Sequence, residues 1–192
     1  PGPVAGIRQT GDMIGMRHDW CEAGPEGTRV EVEVSWTVEA AGGEFVWTIE
    51  ARNSWPQHTI DEIVFPMLKG LYLGDDYRDD WLAYPHHAGE LTKNPIETYA
   101  SPRYQEFNRA GSVRADGEWV REIPYCGLAS MQWMDCFDDS GGIYFASHDH
   151  EFGLTGVIVY SGGNDHPWLG LGFRKYPLLA AGAAAASRPF IL

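Results

Sequence analysis

Pro124–Asp149, PYCGLASMQWMDCFDDSGGIYFASHD, reads as two β-strands joined by a tight turn. Along its first half Ser130, Gln132, Met134 and Cys136 alternate with Met131, Trp133, Asp135 and Phe137, the two-residue period of a strand. Asp138-Asp139-Ser140-Gly141-Gly142 supplies the turn, because Gly and Asp enter positive φ at little steric cost. Ile143-Tyr144-Phe145-Ala146 follows, apolar and aromatic, and is expected to be buried. The strand then runs into five polar residues, Ser147-His148-Asp149-His150-Glu151. A hydrophobic hairpin that delivers titratable groups to one end is the most function-like object in the chain.

Upstream, Val30, Val32, Val34, Trp36 and Val38 alternate with Glu31, Glu33, Ser35, Thr37 and Glu39. After Ala40-Ala41-Gly42-Gly43, a second alternation places Phe45, Trp47, Ile49 and Ala51 on one face. Two amphipathic strands around a Gly-Gly turn make an antiparallel hairpin. Ile60–Phe65 reads as another strand, and Pro66 either ends it or sets it at a sheet edge. Leu71–Ser112 shows no sustained period and reads as a long loop. Thr155–Tyr160 and Trp168–Tyr176 are further short strands, and the Ala run from Ala180 to Ala186, interrupted by Gly182, is a connector. Residues 1–29 are Gly-rich and weakly patterned, with Trp20-Cys21-Glu22 as a short edge strand. Many short strands with Gly, Pro and Asn turns, and no amphipathic helix of three turns, predict an all-β antiparallel sandwich with long loops.

Length and composition narrow the function classes. A chain of 192 residues is simplest as one domain with a sizeable core. Its formal net charge of −13 excludes a partner whose phosphates need a basic surface, and no Lys/Arg run suits an anionic membrane. No apolar run approaches the ~20 residues that cross a bilayer. The eight Trp, nine Tyr and eight Phe suit pleated sheets, and their flat faces also suit sugar rings. Cys21, Cys126 and Cys136 lack metal-ligand spacing and read as small hydrophobes, with a Cys126–Cys136 bridge left open. Beginning at Pro1 without a signal peptide, the sequence reads as part of a longer product, and its compartment is unreadable.

A set of blocks in order carries a resemblance. Arg52-Asn53 precedes Ile60-Asp61-Glu62-Ile63-Val64-Phe65-Pro66 and Leu68-Lys69-Gly70-Leu71. Tyr84-Pro85-His86-His87-Ala88-Gly89, Pro124-Tyr125, Ala129-Ser130-Met131-Gln132-Trp133-Met134-Asp135 and Gly142–Asp149 follow. Over about residues 30–180 this order resembles the N-terminal β-sandwich of a bacterial glycoside-hydrolase-like family of largely unassigned function. That resemblance implies a galactose-mutarotase-like supersandwich, normally followed by a (β/α)8 barrel that carries the catalytic carboxylates. It divides the chain into an N-terminal edge segment (1–29), the sandwich (30–179) and a linker (180–192) towards the barrel. It also implies a non-catalytic domain that shapes a carbohydrate site and docks the barrel of the same polypeptide. Two other functions stand beside it: a free-standing mutarotase-like epimerase, with His148 or His86 and Asp149 or Glu151 as the acid/base pair, and a plain sugar-binding module.

The carbohydrate-binding candidates are His148, Asp149, His150, Trp133, Trp168, His86 and His87. On a strand His148 and His150 share a face, but two histidines need a third ligand to hold zinc, and the sequence identifies none. Asp149 is expected to be buried and paired with Arg174. Asp75, Asp76, Asp79 and Asp80 offer hard oxygens for Ca²⁺ yet lack the order of a calcium loop, so a solvated loop is preferred. Trp81 joins Trp133 and Trp168 as a possible sugar platform, against the plainer reading of core aromatics. No catalytic residue, metal or cofactor is assigned.

Overall fold

The computed structural model describes residues 4–18, 21–22, 29–30, 32–54, 57–101, 111–113, 119–151, 153–162 and 168–192. In chain order its strands are β1 (Val4–Thr10), β2 (Met13–His18), β3 (Cys21–Glu22), β4 (Arg29–Val30), β5 (Val32–Ala41), β6 (Glu44–Asn53), β7 (Ile63–Leu71), β8 (Trp81–Tyr84) and β9 (Glu90–Lys93). The short helix α1 (Pro95–Ala100) follows, and then β10 (Gly111–Val113), β11 (Trp119–Tyr125), β12 (Trp133–Phe137) and β13 (Gly142–Ser147). The last strands are β14 (Thr155–Ser161), β15 (Leu169–Lys175), β16 (Ala184–Ala186) and β17 (Phe190–Ile191). The protein is an all-β antiparallel one, as its alternations predict. It divides into two compact units, one of Pro1–Ile63, His148–His150 and Tyr176–Leu192, the other of Val64–Ser147 and Glu151–Lys175.

The first unit is a sheet ordered β1-β2-β5-β6, with β16 and β17 both paired to β6. The β5–β6 hairpin has the expected register, closing at Ala41↔Glu44 around Gly42 and Gly43 at φ 64° and 91°. Ile49 and Ala51 are buried, and the rings of Trp36 and Trp47 lie 5.8 Å apart. The Ala run is not helical: Gly182 turns at φ 77° and Ala184–Ala186 join β6. The β1–β2 hairpin was not legible, because its described side chains are exposed or only half-buried. Ile7 is 66% exposed, so no apolar stripe marks the strand.

The second unit is a sandwich. One sheet runs β13-β12-β8-β9 and the other β10-β11-β14-β15-β7. Between them Phe145 of β13 meets Phe173 of β15 at 4.8 Å, and the Tyr84 hydroxyl donates to the Val157 carbonyl at 2.9 Å. Leu82, Met134, Ile123, Val157, Val159 and Leu171 are fully buried in the core. β14 is buried along its whole length, and on it Ile158 and Tyr160 form a second cluster with Val120, Val64 and Trp168.

Several expectations are corrected here. β12 begins at Trp133 rather than Ser130, because Gly127 and Ala129 hydrogen-bond back to Pro124 and Ser130 to Pro85. On β13 Phe145 and Ala146 are buried, but Tyr144 is 46% exposed and Ile143 half-buried, since one face of this sheet is wet. Of the two alternatives for Pro66 the edge one holds: Pro66 lies within β7, the edge strand of its sheet, which runs Ile63–Leu71 instead of starting at Ile60. Leu71–Ser112 is no single loop: it holds β8, β9, α1 and β10. Four-residue strands are too short to show a period, and α1 announces itself only by Asn94 before Pro95, a cap and a first-turn proline. No bridge joins Cys126, which is exposed, to Cys136, which is buried.

Candidate functional site

In the first unit the polar run after β13 is largely solvated. His148 and His150 are exposed and Asp149 is half-buried, with the His148 amide donating to Pro189 O at 2.9 Å. Among the described residues no third ligand joins the two histidines. In the second unit Arg174 Nη1 lies 2.7 Å from Glu122 Oε2. Strand pairing permits this contact, because Gly156, opposite Arg174, has no side chain to keep Glu122 away.

In the second unit His86 and His87 come together, their rings 4.3 Å apart. The element beneath them is β11, which sends Arg121 into the interior with no exposed surface. Arg121 Nη1 donates to Glu90 Oε1 at 2.9 Å and Nη2 donates to His86 Nδ1 at 2.8 Å. Its guanidinium carbon also lies 5.1 Å from the Tyr84 ring centre. A guanidinium can only donate, so His86 Nδ1 carries the lone pair and its proton sits on Nε2. Glu90 Oε2, 3.2 Å from the same Nδ1, then stands beside it without receiving its proton. The imidazole presents an N–H at its outer edge while its inner edge is locked. Glu90 and Arg121 escaped the sequence reading because they belong to different strands and neither stands in a motif.

Trp168 lies at a cleft of about 250 Å³, with Leu71, Tyr72, Asp75, Tyr77 and Ile96 among its lining. The indole is seated on backbone: a Cβ at Gly162 or Gly170 would run into its ring. Those glycines let a large ring lie flat against a strand. Lys69 Nζ stands 4.9 Å from the Trp168 ring centre. Tyr77 is held by its hydroxyl on Glu97 Oε1 at 3.2 Å and by Arg78 4.8 Å from its ring. Tyr72 is 64% exposed. Tyr72 and Tyr77 give no sign in sequence, and Asp75 stands out there only as a possible Ca²⁺ ligand, since an irregular loop brings the three together. Trp133 is on a sheet face against Tyr144, 6.0 Å between rings, with its Nε1 turned to Met131 Sδ. Trp81 is half-buried on β8, with Lys93 Nζ 5.6 Å from its ring.

No family model and no curated protein matches the sequence. Among solved structures the chain is similar to the Slr1438 protein of Synechocystis sp. PCC 6803, with a TM-score of 0.54 and 11% identity over 100% of this chain and 65% of that one. It is also similar to a galactose mutarotase related enzyme of Lactobacillus acidophilus, with a TM-score of 0.44 and 8% identity over 98% of this chain and 69% of that one. The chain thus spans less than two thirds of the Synechocystis protein, with which it shares an all-β fold. No family match bears on a glycoside-hydrolase context or on a following barrel.

Proposed function

We propose that the protein is a non-catalytic carbohydrate-binding β-sandwich whose ligand rests in the Trp168 cleft. The observation that carries this reading is the indole pressed onto Gly162 and Gly170, held beside Tyr72, Tyr77 and the Asp75 carboxylate. A fixed aromatic face buries the C–H face of a sugar ring, and a carboxylate accepts from its hydroxyls. His148, Asp149, His150, His86, His87 and Trp133 contribute less in this reading, since none of them lines the cleft.

The arrangement at His86 supports a non-catalytic role over a mutarotase-like one. A proton shuttle needs a carboxylate or imidazole nitrogen free to take a proton. Here Arg121 holds both Glu90 and His86 Nδ1. In the same proposal a catalytic barrel of the same polypeptide docks on this domain, for which the sequence resemblance is the support. Exposed Met67 on β7 and Tyr72 just after it are the side chains such a barrel would cover. Calorimetric titration with neutral mono- and oligosaccharides tests the binding reading. One of them should bind, and Trp168→Ala should weaken that binding by more than about tenfold, as loss of a buried aromatic anchor does. Binding that survives Trp168→Ala unchanged refutes the cleft.

A further inference from the structure

We propose that Asp79, Asp80 and Asp138 form a binding site for one hard divalent cation, Ca²⁺ by its ligand chemistry. Each carboxylate offers an oxygen, and the three oxygens lie within 4.8 Å of one another. They come from two places in the chain, the segment leading into β8 and the turn between β12 and β13, so the grouping is tertiary. The site is separate from the Trp168 cleft, whose lining includes none of the three.

The second observation is the state of Asp80. This residue is 0% exposed, and its Oδ2 accepts from the Leu73 amide at 3.1 Å. Its Oδ1 is sealed from water and receives no hydrogen bond from any described residue. A buried carboxylate oxygen without a donor is costly, and beside two more carboxylates it is costlier still. A cation removes both penalties at once. Arg78, the cation nearest in sequence, faces elsewhere, 3.1 Å from Asp76 and 3.3 Å from Glu97.

The turn supplies a ligand already held by hydrogen bonds. Asp138 Oδ1 accepts from Ser140 N and Ser140 Oγ, each at 2.6 Å, and from Gly141 N at 2.9 Å. These bonds leave Oδ2 for the group. Gly74, at φ 58°, lies against that oxygen, and a Cβ there would come within 3.0 Å of Asp138 Oδ2. Ca²⁺ accepts six to eight oxygens at flexible geometry, so carboxylates with water on the exposed Asp79 side meet its demand. Mg²⁺, which asks for near-ideal octahedral geometry, fits less well.

Terbium luminescence tests the site, because Trp81 follows Asp80 directly and can sensitise a bound Tb³⁺. With chelator-treated protein, TbCl₃ should give saturable emission at one equivalent, displaced by CaCl₂ and much less by MgCl₂. Asp138→Asn and Asp79→Asn should each weaken Tb³⁺ by more than about tenfold, the scale on which removing a charged ligand acts. Asp139→Asn, beside the group but outside it, should leave it unchanged. Asp79 is exposed, so its variant folds even if Asp138→Asn does not. Emission that never saturates, or that is equal in Asp79→Asn, Asp139→Asn and the unaltered protein, overturns the proposal. Equal displacement by Mg²⁺ and Ca²⁺ refutes the choice of Ca²⁺.

Discussion

Arg121 is a charged side chain committed wholly to the interior, and it is there because Glu90 and His86 meet it with geometry suited to its fork. Removing one member of such a buried group leaves the others desolvated and unmatched. Arg121→Met, which keeps the volume, should therefore cost about 3 kcal/mol or more in urea unfolding. A loss below about 1 kcal/mol would mean that water replaces the guanidinium without penalty. Cys136 illustrates burial acting on a neutral group. Removal from water, with the charges of Asp80, Asp135 and Asp138 added, pushes its thiol from an ordinary 9.0 up to about 12. The folded thiol is thus neutral where the unfolded one ionises, so stability should fall as pH rises through 9 to 12. At pH 8 a thiol reagent should label exposed Cys126 readily and Cys136 only on unfolding. Equal labelling of both in the native protein would contradict the burial.

At the scale of single elements, α1 is the clearest case of a feature held by its cap. It is six residues long, too short to stand on propensity, and Asn94 Oδ1 accepts from the Glu97 amide at 3.2 Å while Asn94 Nδ2 donates to Glu97 Oε2 at 2.9 Å. Asn94→Ala should lower stability by about 1 kcal/mol, and Asn94→Gly by less, because Asn94 sits at φ 47° where glycine rests easily. Thermal melts of the two variants side by side would check the order. What the sequence could show follows from the same physics. β5, β6, β14 and β15 were legible because each carries a long apolar face or a continuous apolar run. β1, β2, β8 and β9 were not, because the described side chains of the first two are exposed or only half-buried and the others are four residues long. Trp168 could be named as a candidate platform from its residue type alone. Its cleft could not, since Tyr72, Asp75 and Tyr77 reach it through the chain's irregular segment.

At the scale of the whole molecule, the proposal of a neutral sugar ligand raises the question whether the protein acts on it or only holds it. Among the described residues, several groups able to move protons are paired with a cation or stand apart from the cleft. Glu90 is paired to Arg121, Glu122 to Arg174, and His148 and His150 stand in solvent after β13. Mutarotation needs one group that gives a proton to the ring oxygen and another that takes one from the anomeric hydroxyl, both facing one sugar. Among the described residues the Trp168 cleft offers Asp75 and no histidine. The protein should therefore leave the mutarotation of freshly dissolved α-galactose and α-glucose at the buffer rate, followed by polarimetry, even at sugar concentrations that saturate the cleft in titration. His86→Ala and Asp75→Asn should leave that rate unmoved. A rate clearly above buffer that His86→Ala abolishes would make the His86 edge an active site and Arg121 its positioning residue. A rate lost instead in Asp75→Asn would put the chemistry in the cleft. Either result would replace the binding role with a catalytic one.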